Sequence, residues 1–263
     1  MYDFAYHKPA SLDEAAKLLA TGNSKPLAGG MSLIPSLKMR LNRYDALIDL
    51  GALQEIRGIR RDGSFLVIGA MTPHAVVAAN AEVQKIIPAI ATLAEGIGDP
   101  LVRNRGTMGG SMANADPAAD YPSAVVGLGA TVVTNRRQIA GDDFFKDVFE
   151  TALQAGEIIK EVRFPIPQKA AYAKYRQPAS RFAIVGVFVS QSASGVRVAV
   201  TGAAPSVFRF TAAEAALGKR FDPAALDGLA IKPDDLNSDI HASAEYRAHC
   251  VVEMTRRAVL AAK

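Results

Sequence analysis

The sequence predicts an α+β fold in two parts, and three observations lead there. Ahead of Pro165, short strand-like runs interleave with capped stretches of helical period. From Phe182 to Ser190 and from Val196 to Ala203, two long apolar runs joined through Ser192-Ala193-Ser194-Gly195 read as antiparallel strands, and helical patterns follow them. Between these regimes, Pro165 to Ala171 forms a candidate boundary. The expected units are residues 1–170, divided again near residue 55, and residues 171–263.

The elements are justified in order. Ser11-Leu12-Asp13-Glu14 is a capping box that opens a helix ended by Gly22. A strand over 25–28 leads into Ala28-Gly29-Gly30-Met31-Ser32-Leu33. Ser32 then serves as N-cap for a helix over 33–41, with Pro35 tolerated in the first turn. Ala46 to Leu50 reads as a strand, and a hairpin is expected about Asp62-Gly63. Thr72-Pro73 reads as N-cap and first residue of a helix over 74–80. A helix over 83–95 is kinked or split at Pro88. Asp120 reads as the N-cap of a helix through Ala124 to Leu128, with Pro122 just inside it. Strands are expected over 131–134 and 158–164, with a turn and short helix at 142–145 between them. Helices are expected over 211–217, 223–226 and 243–262, the last with Val251, Met254, Ala258 and Val259 inward and Arg247, Arg256 and Arg257 outward.

Composition excludes several classes of function. The 263 residues, 49% of them apolar, suffice for a sizeable core. No apolar run reaches the roughly 18 residues of a membrane span, and Met1-Tyr2-Asp3-Phe4 lacks the features of a signal peptide. The single cysteine, Cys250, can neither close a disulfide within the chain nor ligate an iron–sulfur cluster alone, which makes a cytoplasmic location the expectation. His7, His74, His241 and His249 show no metal-ligand spacing. The net charge of +4 comes without a basic stripe or interleaved aromatics, so no nucleic-acid partner is expected. The pairs Arg60-Arg61, Arg136-Arg137 and Arg256-Arg257 read as solvated faces or as a rim for an acidic partner. There is no Gly-Lys-Ser/Thr P-loop and no Gly-x-Gly-x-x-Gly following a strand.

The chemistry concentrates in Asp99 to Pro122. This stretch is too rich in Gly, Pro, Asn and Asp for a long regular element, yet apolar at Leu101, Val102, Met108 and Met112. Within it, Thr107 and Ser111 flank Gly109-Gly110. Together with Gly29-Gly30, this makes two glycine pairs beside hydroxyl residues, whose amides are suited to one extended polyanion.

On these residues the chain resembles the FAD-binding medium subunit of the molybdenum hydroxylases, the xanthine dehydrogenase and carbon monoxide dehydrogenase family. Ala28 to Leu33 resembles the family's first flavin motif, and Arg103-Asn104-Arg105-Gly106-Thr107-Met108-Gly109-Gly110-Ser111 its second. Ala115-Asp116-Pro117-Ala118-Ala119-Asp120 continues the second motif. Ala179-Ser180-Arg181-Phe182-Ala183-Ile184-Val185-Gly186 resembles the opening of the family's C-terminal domain.

The resemblance implies a two-subdomain FAD fold of the vanillyl-alcohol oxidase (PCMH) type, followed by a small C-terminal α+β domain. It implies that Ala28, Gly29, Gly30, Met31, Ser32 and Leu33, with Thr107, Gly109, Gly110 and Ser111, hold the pyrophosphate, and it places Asp116 in the same site. It implies that Asp120 hydrogen-bonds ribityl or ribose hydroxyls, that Ile97 and Ile159 line the flavin or adenine pocket, and that Lys174 lies near the flavin. For the two isoleucines, plain core packing is the alternative. Met31 stands where many relatives carry His or Gln, and Arg181-Phe182 lacks an acidic residue many relatives place there. No histidine matches a covalent attachment, so the FAD is expected to be noncovalent.

The implied function is electron transfer within an oxidoreductase. A molybdenum-binding large subunit and a [2Fe–2S] small subunit are expected on other chains, in a dimer of heterotrimers. An external acceptor (NAD, oxygen or a quinone-linked carrier) takes the electrons from the FAD held here. The alternatives are a free-standing FAD-dependent reductase of the same fold and a non-catalytic nucleotide-binding or scaffolding protein.

Overall fold

The computed structural model describes residues 1–263, folded into three main sheets. The first is parallel, in the order β1 (Ala5–His7), β3 (Ala46–Asp49), β2 (Ser24–Leu27). Helix α1 (Leu12–Leu19) crosses from β1 to β2, and Ser11 accepts from the Glu14 amide as the capping box requires. Helix α2 (Leu33–Lys38) crosses from β2 to β3. It stops three residues short of the expected end, because Arg40 turns into the left-handed region at φ 59°. Ser32 does not cap it; its hydroxyl makes no hydrogen bond within the chain.

The second sheet is antiparallel, in the order β4 (Ile59–Asp62), β5 (Phe65–Gly69), β10 (Ile159–Pro165), β6 (Thr131–Thr134), β7 (Gln138–Ala140). Its hairpin turns at Gly63, which takes φ 57°. Helices α3 (His74–Ala79), α4 (Ala81–Ile86) and α5 (Pro88–Glu95) cover one face. Pro88 divides α4 from α5 and occupies a first-turn position, where its missing N–H costs nothing. Thr72 does not cap α3, since its hydroxyl is spent on both backbone groups of Gly58. Arg137 and Glu157, at 2.9 Å, join β7's entry to β10's entry. The exposed arginine neutralises a buried carboxylate and, with Thr134, holds it at about 2, below the usual range.

The stretch expected to be irregular is largely helical. Helix α6 (Pro100–Arg105) is capped by Asp99, and α7 (Met108–Asn114) is capped by Thr107. Gly109 and Gly110 lie in the first turn of α7. Asp120 precedes α8 (Tyr121–Gly127) but its side chain does not cap it. After α9 (Gly141–Phe144), a two-stranded hairpin of β8 (Phe145–Asp147) and β9 (Glu150–Thr151) returns the chain to β10.

The third sheet is antiparallel, β11 (Lys169–Arg176), β12 (Ala183–Ser192), β13 (Gly195–Thr201), β14 (Phe208–Arg209). Alternate residues of β12 serve two cores. Val185, Val187 and Val189 pack with α10 (Thr211–Lys219) and α11 (Ala244–Ala261). Phe188 points the other way, into the core of the second sheet and its helices. Arg247 is not on the wet side of α11. It is buried, donating to the carbonyls of Ile184 and Gly202 and pairing with Asp239 at 2.7 Å.

Candidate FAD site between two glycine loops

The parallel crossover from β2 to α2 delivers the first glycine pair to the top of the small sheet. From Ala28 to Ser32, five successive backbone N–H groups donate to no atom of the chain. Such a run is costly unless water or a ligand accepts from it, and successive free amides form an anion-binding concavity. Gly30 takes φ 74°, a conformation that favours glycine.

The second glycine loop lies against the first. A Cβ on Gly29 would sit 1.9 Å from the Arg105 carbonyl oxygen and 2.8 Å from Gly106 Cα, while a Cβ on Gly110 would sit 3.3 Å from Ala28 Cβ. The two pairs therefore meet, as expected of loops facing one ligand, but they do different work. The amides of α7's first turn are already satisfied: Met108 donates to Thr72 O (3.0 Å), Gly109 to Ala70 O (2.7 Å), Gly110 to Thr107 Oγ1 (3.1 Å) and Ser111 to Thr107 O (3.0 Å). Of the two loops expected to turn their amides on an anion, only the first has amides free to do so. Gly109 is needed for packing, because a Cβ there would lie 2.5 Å from Ala70 Cβ. Beside the first loop, the buried Thr107 retains an unpaired N–H, and the Ser111 hydroxyl has no partner within the chain.

The continuation of the second motif forms the seam with the third sheet. Three successive carbonyls accept from it: Pro117 O from Thr201 Oγ1 and the Gly202 amide, Ala118 O from the Ala183 amide, and Ala119 O from Thr201 Oγ1. Asp116 accepts from the Ala118 amide at 2.9 Å, and burial raises its carboxyl above the usual range. Asp120 is 4% exposed and receives the Lys174 ammonium at 2.9 Å and the Tyr172 hydroxyl. Burial pushes its carboxyl upward, while Lys174 and Tyr172 oppose the shift. Lys174 also donates to Gly96 O at 3.1 Å. The turn at Gly96-Ile97-Gly98 is gripped further by Arg103, which donates to the carbonyls of Ile97 and Gly98, and by Arg181, which donates to Gly98 O.

The structure thus brings the two glycine loops together and joins Asp120 to Lys174 beside the Gly96 turn, with Asp116 in the segment between the second loop and Asp120. Ile97 is half-buried in that turn, whereas Ile159 is buried in the core of the second sheet. Strand β11, which carries Tyr172 and Lys174, is absent from the sequence reading; Lys169 to Arg176 has no β-branched residue to announce a strand.

His74 is a further unexpected neighbour. It is 4% exposed, its ring lies 5.3 Å from that of Tyr121, and neither its Nδ1 nor the Tyr121 hydroxyl has a partner. The imidazole rests on Gly106, where a Cβ would meet Nε2 at 2.6 Å. Burial lowers its pKa from 6.5 to about 4, so it is neutral at pH 7. As pH falls below 6.5 the unfolded chain takes the proton first. The contribution of His74 to native stability is therefore expected to decline from pH 6.5 to about 4 and then level off, while the loss from Glu157 sets in at lower pH. A His74→Gln chain should lose that segment of the curve, read as denaturation midpoint against pH.

Residues 2–167 match the model of the FAD binding domain in molybdopterin dehydrogenase, and residues 170–262 match the CO dehydrogenase flavoprotein C-terminal domain. The chain belongs to the FAD-binding chains of the molybdopterin dehydrogenases. This flavoprotein is 35% identical to the carbon monoxide dehydrogenase medium chain of Hydrogenophaga pseudoflava, over 98% of its own length and 96% of the relative's. It is 35% identical to the nicotine 6-hydroxylase medium subunit of Paenarthrobacter nicotinovorans, over 98% and 96%. Among solved structures it superposes on the H. pseudoflava carbon monoxide dehydrogenase with a TM-score of 0.90, 35% identity and coverage of 99% and 97%. With quinoline 2-oxidoreductase from Pseudomonas putida 86 the TM-score is 0.89 at 30% identity, over 99% and 96%. The mixed fold expected from the sequence is that of these flavoprotein chains, and the cofactor of the family is FAD.

Proposed function

We propose that this flavoprotein is the electron-transfer subunit of a molybdenum hydroxylase, relaying electrons from [2Fe–2S] clusters on a partner chain to an external acceptor. The observation that carries the reading is the run of five unpaired amides, Ala28 to Ser32, closed over by a second loop with glycines at the contact. That cradle fits a pyrophosphate and leaves no room for side chains between the loops. In this reading Ala28 to Leu33 bind the phosphates. Thr107, Gly110 and Ser111 wall them in, and Gly109 holds that wall to β5.

Asp116, Asp120 and Lys174 serve the flavin and its hydroxyl-bearing chain. Asp120 has acceptor capacity beyond its two internal partners, and Lys174 has one ammonium proton beyond its two. Ile97 borders the ring, while Ile159 acts through core packing. Residues 1–170 form the cofactor-binding unit, and residues 171–263 close its seam. FAD, when bound, supplies one- and two-electron redox chemistry; the chain binds it, orients it and sets its surroundings.

One buried cysteine cannot ligate a [2Fe–2S] cluster; in this reading the clusters and the molybdenum lie on separate small and large subunits. The names "medium chain" and "medium subunit" carried by the relatives support such an assembly. We infer a dimer of heterotrimers in the cytoplasm; no helix is long and apolar enough to cross a membrane. The relatives named for carbon monoxide and for nicotine share this chain's extent, which suits substrate choice residing on the large subunit.

The test is the visible spectrum of the purified chain, followed by acid precipitation. A flavin band, with FAD in the supernatant, is the expected result. A yellow pellet would mean covalent attachment, and a colourless chain that takes up no added FAD would overturn the proposal.

A further inference from the structure

The buried charge cluster behind the second loop contains a residue that no flavin motif includes. Tyr172 and Lys174 alternate on β11 and so share a face; their register partners on β12 are Phe188 and Gly186. The Tyr172 hydroxyl donates to the Asp120 carboxylate. It reaches there across Gly186, where a Cβ would lie 2.3 Å from the hydroxyl oxygen. Any larger residue at Gly186 would push the phenol off the carboxylate. Lys174 occupies Asp120 from another direction at 2.9 Å and ties it to Gly96 O at 3.1 Å. Gly96 precedes the second loop and Asp120 follows it, so this network fastens both flanks of the loop to one strand of the C-terminal sheet.

Two donors on Asp120 have distinct consequences. An ammonium on a four-carbon stem has several orientations open to it, whereas the phenol, held by its ring, has one. A carboxylate with a fixed donor on one side presents its remaining lone pairs in a fixed direction.

We infer that Tyr172 is a positioning residue for FAD: its hydroxyl orients the Asp120 carboxylate toward the cofactor's hydroxyl groups, and Gly186 is the notch that admits it. The inference rests on the FAD reading given above. It predicts that affinity for FAD depends on a hydroxyl that need not touch the cofactor.

The experiment is a double-mutant cycle on the full chain, stripped of flavin and titrated with FAD, with apo-chain thermal midpoints measured alongside. Tyr172→Phe is expected to weaken FAD binding about tenfold, the order expected for a lost hydrogen bond to a charged group. In an Asp120→Ala background the same change is expected to cost no more than about twofold, because the group it orients is gone. Asp120→Leu, whose side chain offers no acceptor, supplies the second background should Asp120→Ala not fold. A Tyr172→Phe chain with a lowered midpoint and unchanged FAD affinity would overturn the inference and leave Tyr172 a packing residue. An undiminished effect in both Asp120 backgrounds would also overturn it, because Tyr172 would then act independently of the carboxylate. Failure of the unaltered chain to bind FAD would defeat the FAD reading itself and this inference with it, an outcome distinct from the other two.

Discussion

Gly29→Val is expected to abolish FAD binding, with a loss of at least about 100-fold in affinity, while the chain remains folded. The reason is geometric. The Cβ would lie 1.9 Å from the Arg105 carbonyl oxygen and 2.6 Å from its carbonyl carbon, so the obstacle is backbone and no side-chain rotation relieves it. One loop must move away from the other. The five free amides then lose their alignment with the wall formed by Thr107 and Gly110. Each tenfold in affinity is about 1.4 kcal/mol, so 100-fold corresponds to the loss of one or two well-made hydrogen bonds to a charged group. Gly29 belongs to none of the three apolar cores, so the far-ultraviolet spectrum should be retained. Gly109→Val is the contrasting substitution. Its Cβ would collide with Ala70 at the end of β5, beneath a helix whose Met108 and Met112 are core residues. There, lost stability should be the first effect. Flavin content and thermal midpoint, measured on both chains, separate the two roles.

Asp120→Ala is expected to cost about 3–5 kcal/mol of stability, the range for breaking a buried ion pair by removing one partner. Without Asp120, the Lys174 ammonium, whose side chain is 9% exposed, keeps only the Gly96 carbonyl, and the Tyr172 hydroxyl loses its acceptor. The loss of an N-cap would cost only about 1 kcal/mol, and the Asp120 side chain makes no cap bond. Urea unfolding of the apo-chain at neutral pH distinguishes the two magnitudes. Asp120→Asn should be milder, because its amide oxygen still accepts from both donors.

Much of this arrangement was legible in the residues. The glycine pairs, the capping box at Ser11, the break at Pro88 and the two long strands of the C-terminal sheet follow from local rules that the tertiary structure leaves intact. Elsewhere a tertiary demand overrode local preference. Ser32, Thr72 and Asp120 all stand where a helix cap is expected, yet none caps. Thr72 is claimed by Gly58 and Asp120 by Lys174, each more than ten residues away. Arg247 has the spacing of a wet helix face but is drawn inward by two unpaired carbonyls and an aspartate. Strand β11 is hidden in the sequence because its Ala and Lys residues are depleted in strands and it has no β-branched residue, so its two tyrosines alone do not announce it; its place comes from pairing with β12. The division of labour between the glycine loops was also hidden, because it depends on where each amide finds its acceptor. A Gly-Gly pair in the first turn of a capped helix and one in an open turn look alike in sequence.

The central claim is that the two loops grip the pyrophosphate of a dinucleotide. The most direct measurement is the affinity of the flavin-free chain for FAD, FMN and riboflavin, titrated under one set of conditions. FAD alone carries the pyrophosphate, so it should bind at least about 100-fold more tightly than either of the others, and Gly29→Val should erase most of that preference. Equal affinity for the three flavins would contradict the account, since recognition would then rest on the isoalloxazine ring and the free amides from Ala28 to Ser32 would have no phosphate to hold.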